Sequence, residues 1–289
     1  MTEKITFIGY GEAGGILAAD LAKNHPVIVW DCKLDGAERE TMLDKARRAG
    51  VRAAASLAEA IENATLIFST VTADSALDVA QQSGARLREG QFFLDLNSVA
   101  PETKRQAAAF FLPGIFVEVA VMAPVPPARL RTPLLIGGPQ AQHLTSRLQG
   151  LGLKAQFGDA TLGKVSAVKM CRSVIIKGLE ALTTECLFAA RQYGVEKDVL
   201  AALHASFPSL GWNGAFPGYL ISRVAQHGIR RSQEMEEVVK TLREVGTGAV
   251  MSQATATSQR QLPQKMATKG LVYCHQEPFD WQTLADELQ

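Results

Sequence analysis

The strongest constraint on this chain lies near its amino terminus, where the apolar run Ile5-Thr6-Phe7-Ile8 ends in Gly9-Tyr10-Gly11-Glu12-Ala13-Gly14. A strand that closes on GxGxxG and reopens as a helix is the turn a dinucleotide's diphosphate requires. Gly9 permits the sharp exit from the strand. Gly11 has no side chain to hold a phosphate away from the backbone. Gly14 lets the helix pack closely on the sheet, with its first N–H groups aimed at the phosphate charge. Tyr10, Glu12 and Ala13 complete the turn as expected cofactor contacts. The next strand-like run, Val27-Ile28-Val29-Trp30, ends in Asp31, about twenty residues further on, where an acid is expected to accept hydrogen bonds from the adenosine ribose. A carboxylate there repels a 2′-phosphate, so NAD is expected rather than NADP. Lys33, two residues on, softens that repulsion.

Short β-type runs alternate with alanine-rich helical stretches through the first half. The strands are expected at 4–8, 27–30, 66–70, 92–95, 115–118 and 133–137, with helices at 14–23, 56–62, 73–83 and 101–111. Such alternation predicts a doubly wound, mostly parallel α/β Rossmann sheet with helices on both faces. Ligands of such sheets bind beyond the carboxyl ends of the strands, which adds Thr70, Val71, Thr72 and Asn97 to the cofactor contacts and Ser98 to the substrate side. No strand is expected after Phe157. A long helix over 162–193 carries Val165, Val168, Ile175, Leu179, Leu182 and Cys186 near helical spacing and stops at Gly194. Further helices are expected at 197–206, 217–226, 232–245 and 280–288. The chain thus divides into a Rossmann domain, residues 1–160, and an all-helical domain, residues 161–289, entered through one long helix.

Composition narrows the function classes. A formal net charge of +1 gives no electrostatic case for nucleic acid or an anionic membrane as partner. The longest apolar stretch, 174–190, is broken by Lys177, Glu180 and Glu185 and should not span a bilayer. The opening residues lack the apolar core and small-residue cleavage site of a signal peptide, so a cytoplasmic protein is expected. Cys32, Cys171, Cys186 and Cys274 have no metal-binding spacing and read as reduced, buried or partly buried thiols. No metal site and no serine or cysteine triad is apparent.

The long helix carries Ser166, Lys169, Arg172 and Ser173 at i, i+3, i+6 and i+7, roughly on one side. Burial and the like charge of Arg172 both lower the pKa of Lys169, and a lysine tuned towards neutrality serves as general acid or base. Lys169 and Arg172 reaching out of an amphipathic helix into solvent is the alternative.

A GxGxxG domain followed by a Gly-x5-Lys helix, Gly163 to Lys169, resembles the β-hydroxyacid dehydrogenases, among them 6-phosphogluconate and 3-hydroxyisobutyrate dehydrogenases. Within that group it resembles an NAD-binding, phosphogluconate-dehydrogenase-like branch with a divergent C-terminal domain. The resemblance implies that Lys169 takes the substrate hydroxyl proton while hydride passes to the nicotinamide. It also implies a homodimer formed by the helical domain, with each site between domains. Two departures stand out. Arg172 and Ser173 occupy positions where the family has two asparagines, and Met122, in Ala120-Val121-Met122-Ala123-Pro124, replaces the serine of a Ser-Gly-Gly substrate loop. The substrate contacts expected here are therefore Ser98, Met122, Arg172 and Ser173, with Arg172 able to grip a carboxylate or phosphate in place of the lost clamp.

The expected activity is an NAD-dependent oxidoreductase acting on a small anionic hydroxy acid, sugar acids included, with decarboxylation open. An NAD(P)H-dependent imine reductase and a non-catalytic NAD-sensing or scaffold protein are the alternatives. Arg223, His227, Arg230 and Arg231 around Gly228 read either as an anion site or as a helix terminus, closed by a cationic His227, with the arginines solvated or paired to Glu234, Glu236 or Glu237. His275 could reach a neighbouring subunit. Pro124, Pro126 and Pro127 mark a stiff loop, and Trp212 and Trp281 read as core or dimer anchors.

Overall fold

A computed structural model describes residues 3–276 and 278–289. The chain divides into two compact units, Met1–Met170 and Cys171–Gln289. The division expected at 160/161 falls at the end of the last strand, whereas the units part ten residues later.

The first unit is built on β1 (Ile5–Ile8), β2 (Val27–Trp30), β3 (Arg52–Ala53), β4 (Leu66–Ser69), β5 (Phe92–Asp95), β6 (Phe116–Val121), β7 (Leu134–Gly137) and β8 (Ala155–Asp159). They form one sheet in the order β3-β2-β1-β4-β5-β6-β7-β8. Strands β1 to β6 run parallel, β7 is antiparallel to β6, and β8 is parallel to β7. The order reverses between β1 and β4, which is where a doubly wound sheet opens a crevice at its carboxyl edge. Its helices are α1 (Glu12–Leu21), α2 (Arg39–Ala49), α3 (Leu57–Glu62), α4 (Ala76–Gly84), α5 (Pro101–Ala108), α6 (Val125–Ala128) and α7 (Ala141–Gly150), followed by the start of α8 (Lys164–Tyr193).

Helices cover both faces of the parallel strands, which explains their continuous apolar runs. On one face Phe7 stacks on Phe68 with ring centroids 4.8 Å apart. Ile8, Ile67 and Phe93 pack on the other with Ile61 and Phe116. Thr6, polar within this core, donates its hydroxyl to Ala60 O at 2.6 Å and leaves no unmet donor.

Several elements depart from expectation. The stretch containing Phe157 is itself a strand, β8, with only Ala155 buried. An edge strand so exposed lacks the apolar alternation that would reveal it. Helix α2, Arg-Glu-Thr-Met-Leu-Asp-Lys-Ala-Arg-Arg-Ala, buries only Met42 and Ala46, and its charges hid it. The expected proline loop instead makes the short helix α6, with proline in its first turn, where no intrahelical N–H is lost.

The second unit holds the rest of α8 with α9 (Glu196–Ser206), α10 (Phe216–Glu244), α11 (Val250–Thr268) and α12 (Trp281–Glu287). Leu187, Ile221, Val224, Leu262, Trp281 and Leu284 form its core, so Trp281 anchors this packing. Trp212, also buried, meets the edge of Phe216. Two helices were expected where α10 runs unbroken for 29 residues. Gly228 is the reason: it is a crossing point rather than a stop. A Cβ there would lie 2.1 Å from Gln259 O and 2.8 Å from Pro263 Cγ, so glycine is what lets α10 and α11 touch. Ser232, where the second of those helices was expected to begin, is buried mid-helix.

The basic cluster is also rearranged. Arg231 Nη1 donates to Glu180 Oε2 at 2.8 Å, and Glu234 pairs with Lys177 at 2.7 Å. His227 does not end a helix as a cation. Burial, with Arg223, Arg230 and Arg231 around it, pushes its pKa down to about 4. The four cysteines are free and exposed rather than buried. Among the described residues no helix is long and apolar enough to cross a membrane. The side chain of His275 lies outside the described residues.

Candidate functional site

The glycine turn leaves β1 at Gly9, whose φ of +88° is open only to glycine at low cost. A Cβ at Gly9 would also fall 2.5 Å from Thr70 O, and one at Gly14 would fall 2.3 Å from Gly9 O and 2.4 Å from Thr70 Oγ1. At Gly11 a Cβ would meet nothing within 4 Å. Two glycines therefore close the turn upon itself and the third faces open space. No side chain caps α1 at Gly11, so its opening N–H groups keep their positive end exposed. That combination fits a diphosphate.

Thr70 and Asp31 brace the turn. Thr70 Oγ1 donates to Gly9 O at 2.7 Å. Asp31 Oδ2 accepts from Tyr10 N at 2.6 Å, and its Oδ1 accepts from Lys33 N at 3.0 Å. A carboxylate has about four acceptor positions, so Asp31 retains capacity for ribose hydroxyls. Lys33 Nζ, which was expected to soften the charge of Asp31, is paired with Glu38 Oε2 at 2.8 Å. Val71 is half-buried against the β4 side of the core, and Thr72 Oγ1 shares a hydrogen bond with Ser75.

Beyond β5, the turn Asp95-Leu96-Asn97-Ser98 occupies the same carboxyl edge. Asn97 N donates to Asp95 Oδ1 at 3.0 Å and Asn97 Nδ2 donates to Ser69 Oγ at 2.9 Å. Asn97 Oδ1 is buried without a partner, an acceptor left for a bound group. Asp95 is held by Lys104, whose Nζ donates to Asp95 O at 2.8 Å and lies 3.1 Å from Oδ2. Oδ2 has no aligned donor, so this second contact is a Coulomb pair rather than a hydrogen bond. Both side chains are 1% exposed.

The first turns of α8 bring Lys169 to this edge. Its Nζ donates to Ser98 Oγ at 2.5 Å. Two residues place the helix. Gly163 has φ +95°, and a Cβ there would lie 2.6 Å from Arg105 Nη1. Its N–H donates at 2.7 Å to Glu118 Oε1 of β6, a carboxylate with no solvent exposure. Glu118 and Lys104 were not singled out from sequence. A glutamate inside Phe-Val-Glu-Val-Ala-Val was a legible signal, because a charge in a doubly covered strand needs a buried partner. Lys104 sits in a polar helix start and gave none.

Met122, half-buried, follows β6 and donates its backbone N–H to Pro133 O at 2.9 Å. Arg172 and Ser173 belong to the second unit. Arg172 is exposed there, whereas Ser173 is buried and accepts from Lys177 Nζ at 3.4 Å.

Residues 4–142 match the family described as the NAD binding domain of 6-phosphogluconate dehydrogenase, and residues 190–262 match a domain of unknown function (DUF1932). A conserved hypothetical protein of Sinorhizobium meliloti is 34% identical, with 99% of this chain and 97% of that chain covered and a TM-score of 0.74. The chain belongs to the β-hydroxyacid dehydrogenase family. A second solved protein, of unknown function and described as structurally similar to 3-hydroxyacid dehydrogenases, is 29% identical over 90% of this chain and 97% of that one, with a TM-score of 0.69. The 3-hydroxyisobutyrate dehydrogenase of Pseudomonas aeruginosa is 26% identical over 239 residues, 78% of each chain. Family and fold together make this member a 3-hydroxyacid dehydrogenase-like oxidoreductase that binds a nicotinamide cofactor.

Proposed function

We propose that this family member transfers hydride between NAD and a small anionic hydroxy acid, with Lys169 as the general acid and base. The observation that carries the reading is the 2.5 Å contact between Lys169 Nζ and Ser98 Oγ, on the carboxyl edge that also bears the glycine turn. Bound nicotinamide would supply the hydride acceptor. Lys169 would take the proton from the substrate hydroxyl as the carbinol carbon becomes a carbonyl, and return it in the reverse direction. Ser98 keeps the amine oriented when substrate is absent. Met122 and Arg172 replace the family's usual carboxylate contacts, which favours a substrate other than the usual small hydroxy acids, sugar acids included.

The test is a panel of hydroxy and sugar acids offered with NAD and with NADP, followed by absorbance of the reduced cofactor. Because the side chain of Asp31 sits beside the turn and Lys33 is held by Glu38, kcat/KM with NAD should exceed that with NADP on the order of 100-fold. Asp31→Asn should narrow the ratio. Equal use of the two cofactors would refute the assignment of Asp31, and NAD binding without turnover on any acid would refute the catalytic reading.

We also propose that the helical unit pairs with a second copy. Ile175, Leu182 and Tyr193 stand 65%, 55% and 83% exposed on one stripe of α8, at i, i+7 and i+18. Water-exposed apolar side chains in register on one helix face are what an interface buries. Sedimentation should give a dimer mass, and Ile175→Glu with Leu182→Glu should shift it to monomer. A monomeric wild type at micromolar concentration would exclude the pairing.

A further inference from the structure

Behind the glycine turn lies a cation that the reading above does not use. Lys45 of α2 reaches across to donate from Nζ to Tyr10 O at 2.6 Å and to Gly11 O at 2.9 Å. The ammonium also sits 4.3 Å above the centroid of the Tyr10 ring, a cation–π distance. Gly15, outside the GxGxxG signature, makes room for it, since a Cβ there would lie 2.8 Å from Lys45 Nζ and 3.0 Å from its Cε.

The two carbonyls it holds are not arbitrary. In a trans peptide the C=O and the following N–H point in opposite directions within one plane. Fixing Tyr10 O therefore fixes the N–H of Gly11, and fixing Gly11 O fixes the N–H of Glu12. Gly11 O accepts also from Gly15 N at 3.1 Å, so that plane is held twice. Gly11 and Glu12 are exposed, and no side chain caps the helix they open.

We propose that Lys45 is a positioning residue for the dinucleotide: by clamping the Tyr10 and Gly11 carbonyls from behind, it aims the Gly11 and Glu12 amides at the diphosphate. This rests on the cofactor reading above. Burial lowers the pKa of Lys45 while Asp31 opposes the change, in line with a partly desolvated ammonium committed to its two carbonyls. The clamp gives Gly15 a function as well, since any larger residue would push the ammonium out.

The experiment measures dissociation constants of NAD, ADP and adenosine by calorimetry for the wild type, Lys45→Met, Gly15→Ala and the double variant. Lys45→Met should weaken NAD and ADP about tenfold and leave adenosine unchanged, because adenosine lacks the diphosphate. Gly15→Ala should do the same with Lys45 still present. The double variant should be no worse than either single one, since both break one interaction. The loss should persist from low to high salt, whereas a lysine acting only as a distant point charge would be screened. Diphosphate affinities unchanged in Lys45→Met overturn the proposal, as does an equal loss for adenosine, which would mark damage to the fold. A wild type that binds neither NAD nor ADP would instead overturn the cofactor reading itself.

Discussion

Replacing Lys169 by alanine is expected to lower turnover about a thousandfold, within the range a positioned general acid or base supplies, while the dissociation constant for NAD stays at its wild-type value. The separation of the two effects follows from the structure. The glycine turn is held by Thr70, Asp31 and Lys45. Lys169 instead meets Ser98, beyond β5. Single-turnover measurements with saturating NAD should place the loss in the chemical step. Small primary amines added to the medium should restore part of the rate, since the deleted group is an amine. A variant that keeps its turnover would take the amine out of the reaction. One that loses NAD affinity in parallel would make Lys169 a structural member of the cofactor pocket. Ser98→Ala, which leaves the amine but removes its oriented partner, should lose less.

Much of the site was legible because backbone chemistry restricts which residues can stand there. Gly9 and Gly14 are bound to be glycines once the turn closes against Thr70, and that requirement shows in the sequence as spacing. The same holds for Gly163 at the entry to α8, which made Lys169 findable as the residue six positions on. What escaped notice acts through space. Lys45 lies in a helix whose charges look solvated, and only the folded chain brings its ammonium to Tyr10 and Gly11. Gly228 stood between two expected helices because glycine is a poor helix former, yet a Cβ there would fall 2.1 Å from Gln259 O, so the close helix crossing demanded glycine inside an unbroken helix. A tertiary contact overrode local propensity there. His227 was misread for the same reason: sequence showed its cationic neighbours but not the burial that leads the depression of its pKa.

Lys104→Met should cost about 3–5 kcal/mol of stability in the first unit, the loss expected when one partner of a buried ion pair is removed and the other stays charged. The carboxylate of Asp95 would remain 1% exposed, with Asn97 N on Oδ1 and no cation near Oδ2. Its backbone oxygen would lose the 2.8 Å donor as well. Methionine fills much of the lysine stem, so the effect reports the lost ammonium rather than a cavity. Urea denaturation of the full chain should show the drop, and hydrogen exchange should locate it in β4 and β5 rather than in α10 or α11. Adding Asp95→Asn should recover part of the stability, because an amide oxygen still accepts from Asn97 N and no lone charge is left inside. The functional consequence reaches further than stability. The Asp95–Asn97 turn sets the position of Ser98, and Ser98 is the partner of Lys169. Lys104→Met should therefore lower turnover even at temperatures where the chain remains folded, and Asp95→Asn should not restore that rate in full. Stability equal to wild type would show that water replaces the ammonium at no cost, and the pair would then have no part in holding the turn.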